Sequence, residues 1–237
     1  MAFILPIEEP WTSQPQVAAG IDWSNPAASK AVYCVNYATR NLVDQAQAQG
    51  VGSVAGTLSY GAVSGGVGLL LNGSSSYTIS RKSGYIATTG SPHTLISVFV
   101  PSSIGAVQGL MCFGEVTDSN WASGLYINAA GKLAWYAGYS ALGSDPVSAQ
   151  TLEVGKIYVG AVVVRAANDR SIYVNGERTN SAYSQNSACS GGAVVGDLAV
   201  NGALRGYKFN GVILANFAVG RALRDDELLN PWQIFAP

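Results

Sequence analysis

The sequence predicts an all-β fold built as one domain, and three observations carry that prediction. From about Val32 onward, short strand-like runs alternate with clusters of Gly, Ser, Asn and Pro, the punctuation of antiparallel strands and tight turns. The stretch SIYVNGERT, Ser171 to Thr179, sets Asn175-Gly176 at the two positions where a type I′ hairpin turn needs positive φ. The composition is 48% hydrophobic, only 11% charged and carries 28 glycines, which suits a chain that buries much of itself and turns often. At 237 residues the chain is long for an ordinary domain, but all-β sandwiches reach this length with a single core. A core of that size needs no metal or disulfide staple.

The first 26 residues hold four of the nine prolines, Pro6, Pro10, Pro15 and Pro26, and show neither a helical nor a strand period. They read as an extended arm spanning residues 1–30, ahead of a domain spanning 31–237. Phe3, Leu5, Trp11 and Trp23 are too apolar for a solvated tail. The arm is therefore expected to lie along its own domain or along a neighbouring subunit, as an assembly arm. The opening MAFILPIEEPW has no basic residue before its short apolar run and has Glu8-Glu9 directly after it. It does not read as a secretory leader, and synthesis in the cytoplasm is expected. The longest internal apolar run, Ile157 to Val164, has strand length, so membrane insertion is not expected.

Among the strands, LLLNGSSSYTI, HTLISVFV, GLMCF, GLYIN, KLAWYAG, KIYVGAVVV, SIYVNG and FNGVILANFAV are the clearest. In HTLISVFV either alternating set could face a core, which predicts a strand buried on both faces. Asn-Gly recurs at Asn72, Asn175, Asn201 and Asn210, but only Asn175 is flanked by two clear strands. One late helix is predicted over Arg224–Asn230. Asp225, Asp226 and Glu227 crowd its first turn, where the helix dipole favours carboxylates, and Pro231 stops it.

The order SIYVNGERT, then GGAVVG, then YKFNGVILANFAVGRALRDDELL resembles the C-terminal half of concanavalin A-like, laminin-G-like jelly-roll domains. QPQVAAGIDWSNPAA, GGVGLLLNGSSSYTI and the ending LLNPWQIFAP look like the laminin-G-like proteins of tailed bacteriophages and prophages. The matches run from Gln14 to Pro237. The resemblance implies a two-sheet antiparallel jelly-roll sandwich with an extended N-terminal arm and a short C-terminal helix. Two positions depart from the pattern. Arg224 stands where the helix usually begins with Ser or Thr, which leaves Asp225 as a possible cap, and VYCVN at Val32–Asn36 is less regular than the usual first strand.

Several function classes are excluded by what the chain lacks in sequence. The 13 basic residues are scattered, so no phosphate-binding face and no nucleic-acid partner is expected. Cys34, Cys112 and Cys189 lie far apart and read as buried free thiols. Some relatives of this fold cleave glycans with two carboxylates on one strand, about 5–5.5 Å apart in retaining enzymes. Here the 14 acidic residues are dispersed, with Glu115 and Asp118 three apart and Asp225 and Glu227 in the helix. His93, the only histidine, follows Pro92 at the start of a strand without a nucleophile motif beside it, and reads as a strand-edge histidine. No catalytic residue, metal site or cofactor is expected.

For sugar binding, the best local match is GEVTDSNWASG, where Asp118, Asn120 and Trp121 combine an aromatic ring with hydrogen-bonding groups. The alternative is a loop tryptophan folded onto the sandwich edge or a partner subunit. In AWYAGYSALGSD, Trp135 and Tyr136 point oppositely on a strand, which predicts one in the core and one exposed. With net charge −1, few charges keep neighbouring copies apart, and self-association is favoured. Together with the resemblance, these features predict a non-catalytic virion structural protein, a decoration, collar or tail accessory subunit. Its expected partners are other virion proteins and further copies of itself. The alternative is a phage adhesin holding a host-surface glycan through Asp118, Asn120, Trp121 and Tyr136.

Overall fold

In the computed structural model, the residues described are 21–40, 42, 45–46, 51–64, 66–79, 90–113, 123–137, 146–181, 193–200, 203–204 and 206–230. Seventeen strands and one short helix follow in order: β1 (Ala31–Asn36), β2 (Val51–Ala55), β3 (Ser59–Val63), β4 (Gly66–Asn72), β5 (Ser76–Ile79), β6 (His93–Pro101), β7 (Gln108–Phe113), β8 (Ser123–Ile127), β9 (Lys132–Ala137), β10 (Val147–Thr151), β11 (Tyr158–Ala166), β12 (Asp169–Val174), β13 (Glu177–Ser181), β14 (Ala193–Val195), β15 (Ala199–Val200), β16 (Ala203–Leu204), β17 (Asn210–Val219) and α1 (Asp225–Leu228). An eight-stranded sheet runs β13-β12-β11-β6-β17-β4-β3, with β1 also paired to β17, and a seven-stranded sheet runs β10-β9-β8-β7-β14-β5-β2. All of these pairings are antiparallel. The result is the two-sheet jelly-roll sandwich that the sequence predicts.

β17 occupies the centre of the eight-stranded sheet. Along one edge it pairs with β6, while its opposite edge is shared, Asn210–Ile213 with β4 and Ala215–Val219 with β1. A strand at the centre is buried on both faces, which is why FNGVILANFAV is apolar almost throughout. β6 behaves the same way: all nine residues are buried, with Leu95 and Phe99 in the inter-sheet core and Ile96 and Val98 on the outer face. Both alternating sets of HTLISVFV are thus used. Truncating Phe99, fully buried, is worth about 3–5 kcal/mol by the usual cavity rule.

The inter-sheet core sets Leu69, Leu71, Val162 and Ile172 of one sheet against Met111, Phe113, Leu125 and Trp135 of the other. A line of hydroxyls crosses it. Asn216 Nδ2 donates to Tyr37 OH at 3.4 Å, Tyr37 and Tyr77 hydroxyls lie 2.6 Å apart, and Tyr77 and Tyr33 hydroxyls 3.2 Å apart. Tyr77 belongs to the seven-stranded sheet and the others to the eight-stranded side, so the chain of hydrogen bonds ties the sheets together. Burial raises the pKa of all three phenols, because a phenolate has no place in a dry core.

The outer face of the eight-stranded sheet is roofed by the chain's two flanks. Ala28, Leu223 and Leu228 are buried there with Val159, Ala161 and Val163 of β11 and with Phe217 and Val219 of β17. Residues 21–30, the end of the arm, therefore lie on their own domain, and the Arg221 guanidinium donates to the carbonyls of Ser29 and Pro26. Trp23 stays 57% exposed; Phe3, Leu5 and Trp11 fall outside the described residues. Cys34 and Cys112 are buried and form no disulfide, as predicted, and Cys189 is outside the described residues.

Several local readings are refined. The helix is shorter than predicted, and its cap is not Asp225: Arg224 holds the N-cap position, and the Glu227 carboxylate accepts from the Arg224 N–H at 2.8 Å, one half of a capping box. Asp225 is instead spent on the sheet below. Asn175 and Gly176 have φ of 49° and 82°, confirming the type I′ turn. A second Asn-Gly pair also falls between paired strands, since Val200 pairs with Ala203 on either side of Asn201-Gly202. β1 carries a register shift between Ala31 and Tyr33, the irregularity expected at VYCVN.

Candidate functional site

The strand ends define two ends of the sandwich. At one, Ala193 pairs with Phe113, Phe113 with Ser123 and Ser123 with Ala137, while His93 pairs with Val164 and Arg170 with Ser181. The chain segments 80–89, 114–122, 138–145 and 182–192 connect strands at this end. Asp118, Asn120 and Trp121 belong to the segment between Phe113 and Ser123 and lie outside the described residues.

At this end the sandwich closes in a polar network. Trp135 Nε1 donates to Ser123 Oγ at 2.9 Å, Ser123 Oγ lies 3.2 Å from His93 Nε2, and His93 Nδ1 lies 2.7 Å from the Ser91 carbonyl. The carbonyl can only accept, so Nδ1 carries the proton and Nε2 takes that of Ser123. The imidazole is neutral. Burial, with the Arg170 charge opposing and the Ser91 carbonyl favouring a second proton, lowers its pKa to about 4. The Arg170 guanidinium sits 4.7 Å from the Trp135 ring centre, within cation–π range.

A serine against a histidine resembles a nucleophile and its base, but access decides otherwise. Ser123 is fully buried and His93 is 1% exposed, and the serine oxygen already accepts from Trp135. The network is a polar plug that fixes Ser123, the foot of segment 114–122. His93 stands at the start of β6, as expected, but β6 is a central strand and the imidazole is buried. Nothing local links His93, Ser123 and Trp135 in sequence; they meet through cross-strand pairing. Arg170 had a signal, since it alternates in phase with Ile172 and Val174, both core residues.

Trp135 is in the inter-sheet core, as one half of the Trp135/Tyr136 reading required. The other half is corrected: Tyr136 is not exposed but 1% accessible. It points to the outer face of the seven-stranded sheet and is buried there with Cys112, Tyr126, Val194 and Leu198. Leu198 and the partly buried Tyr207 belong to the segment between β14 and β17, which folds back over this face. Its close approach explains Gly109, where a Cβ would stand 2.4 Å from the Asp197 carbonyl carbon. So Tyr136 presents no ring for stacking.

At the opposite, hairpin end, Asp197 is fully buried, its Oδ2 lies 2.7 Å from Lys208 Nζ and its Oδ1 accepts from the Leu198 N–H at 2.8 Å. Lys208 also donates to Ser76 Oγ at 2.6 Å. On the outer face of the eight-stranded sheet, Tyr173 OH donates to Asp225 Oδ1 at 2.6 Å, with Arg165 and Arg178 each 3.5 Å from the same carboxylate. Glu227, 5% exposed, takes two nitrogens of Arg221 at 2.8 and 3.0 Å, which with Arg224 lowers its pKa. The acidic run of the helix thus does more than complement a dipole: it fastens the C-terminal flank.

Two antiparallel sheets packed face to face, closed by one short helix, place the chain in the class of jelly-roll β-sandwiches. No family model and no curated protein sequence matches the chain, but solved structures share its fold. Domain 4 of AbnA, an extracellular arabinanase from Geobacillus stearothermophilus solved with arabinotriose, is 18% identical, with TM-score 0.69, over 85% of this chain and 98% of that one. The binding domain of botulinum neurotoxin serotype D is 11% identical with TM-score 0.63, over 88% of this chain and 53% of that one. The Trypanosoma rangeli sialidase is 14% identical with TM-score 0.56, over 86% and 32%. This chain therefore spans nearly the whole of the arabinanase domain but about half of the toxin binding domain. At these identities the likeness is one of fold.

Proposed function

We propose that this chain is a non-catalytic glycan-binding jelly roll carried on a bacteriophage particle, with its sugar contact at the end of the sandwich where segment 114–122 connects β7 to β8. The observation that carries this reading is the fixed foot of that segment. Ser123, the residue that follows segment 114–122 in sequence, is held between Trp135 and His93 in a buried network. A rigid platform carrying a short polar and aromatic segment suits sugar recognition, in which a ring stacks on an apolar sugar face and amides or carboxylates take the hydroxyls.

The shared fold supports the reading, since the arabinanase domain was solved with arabinotriose, but a fold hosts many activities. Against catalysis, the carboxylates of Glu153, Asp169, Asp197, Asp225, Asp226 and Glu227 each lie beside a cation. The particle assignment rests on the phage-like motifs at Gln14–Ala28, Gly65–Ile79 and Leu228–Pro237, and decoration, collar and tail accessory positions all accommodate it.

Two experiments test it. The full chain is screened on an array of bacterial surface glycans beside Trp121→Ala. Retention of a defined glycan that drops at least about tenfold in the variant, about 1.4 kcal/mol, supports the site. No retention, or equal retention by the variant, overturns it. Antibody labelling of virions from the source phage, viewed by electron microscopy, tests the particle assignment. Unlabelled particles overturn that part alone.

A further inference from the structure

A β-sandwich has four sheet edges, and an undefended edge is a template for pairing with another strand. β1, which lies beside β4 along β17, has an outer side too and carries a register shift between Ala31 and Tyr33; of the four strands that end the two sheets, β13, β3, β10 and β2, three carry a defence. β13 presents Glu177 and Arg178, and its Thr179 Oγ1 accepts from the Ala149 N–H of β10 at 3.0 Å, so the β13 and β10 edges close on each other. β10 has a register shift between Val147 and Thr151, and β2 has one between Val51 and Ser53, bulges that spoil a flat pairing surface.

β3 has none of these. It pairs with β4 without a shift over five consecutive positions, Ser59 with Leu70 through Val63 with Gly66. Among the described residues it pairs with no other strand. Every second residue therefore turns its N–H and C=O away from the sheet. Its side chains carry no charge, Ser59 and Ala62 are exposed, and residues 45–80 contain no Asp, Glu, Lys or Arg. Proline, the other common edge defence, is also absent from that stretch.

We infer that β3 pairs antiparallel with β3 of a second copy of this chain, joining the two eight-stranded sheets edge to edge across a two-fold axis. A two-fold contact places a surface against a copy of itself, so a charge near the axis meets its own like. The β3 edge satisfies that condition, whereas the β13 edge, with Glu177 and Arg178, is engaged with β10. The neutrality of residues 45–80 leaves no like-charge repulsion at the axis in any register, and it is what a strand protected from pairing avoids. This inference is independent of the glycan site, which lies at the loop end of the strands.

The test uses charge exchange on the full chain. Ala62→Glu and Ala62→Lys each place like charges about 7–8 Å apart across the axis in a register centred on Gly61. Light scattering after gel filtration is expected to give twice the chain mass for the wild type at micromolar concentration. Each variant alone is expected to dissociate at least about tenfold more readily, and an equimolar mixture of the two to recover the dimer. Unchanged far-UV circular dichroism and thermal midpoint show that each variant is folded. A monomeric wild type overturns the inference, as does a dimer that both charged variants leave intact.

Discussion

At the hairpin end of the sandwich the strands are joined by short turns whose backbone groups bond to one another: Ser102 N–H to the Asn210 carbonyl, Leu152 N–H to the Gly131 carbonyl, Gly155 N–H to the Pro101 carbonyl. At the loop end the closure described lies in side chains, with Trp135, Ser123 and His93 bonded in series and Arg170 laid over the indole. One end holds a charged pair, Asp197 with Lys208, and the other a neutral histidine beside an arginine. The contrast teaches that the two ends respond to different insults. The hairpin end is vulnerable to loss of a countercharge or of a turn residue, and the loop end to acid.

The largest effect is expected at the hairpin end. Lys208→Met leaves the fully buried Asp197 carboxylate without its cation, a loss of about 3–5 kcal/mol. Urea denaturation measures it, and adding Asp197→Asn should restore part of the loss; a loss under about 1 kcal/mol would mean that the pair contributes little. Next comes the loop end. The folded His93 pKa is lowered from 6.5 to about 4, so between those values the unfolded chain binds the extra proton and the folded chain does not. Stability is fully present above pH 6.5 and falls as the pH drops toward 4, by about 3 kcal/mol in all. Denaturation curves at pH 7 and 4.5 should show the decline, and His93→Gln should flatten it; an equal decline in the variant would move the acid sensitivity elsewhere.

Asn175→Ala tests the turn. It puts alanine at φ 49° and removes the acceptor of the Val159 N–H at 2.8 Å, for about 1–3 kcal/mol, and Asn175→Gly should recover the conformational share. The smallest effect is expected from Lys156→Ala. Its partner Glu153 lies 2.8 Å away, but both side chains are 61% exposed, so solvent screens the pair and the unfolding midpoint should stay where it is in the wild type. A shift would show that the exposed loop at the hairpin end is coupled to the charged pair.

The same contrast separates what was legible in the sequence from what was not. Strand alternation and turn chemistry are local, so the Asn175-Gly176 hairpin, the doubly buried β6 and the sandwich class could be read directly. Tyr136 could not, because its burial depends on Leu198 and Tyr207, which fold back from far along the chain. His93, Ser123 and Trp135 meet only after β6, β8 and β9 have been placed in their sheets. Asp225 was read through its own helix, whereas its partners Tyr173, Arg165 and Arg178 come from the sheet beneath. Charge runs and lone histidines are ambiguous where the neighbours that decide their role are distant in sequence.

β17 gives the chain a timetable. The strand at the centre of the eight-stranded sheet comes after every other strand of that sheet in chain order, yet β1, β4 and β6 all depend on it for pairing. While a ribosome is still short of Val219, β6 has β11 on one side and nothing on the other, and β1 has no partner. Completion of this sheet therefore waits until β17 has been synthesised, and closing such long loops makes it slow. Until then the nascent chain exposes the apolar faces of β6, and a chaperone that shields hydrophobic strands would find its client here before β17 emerges.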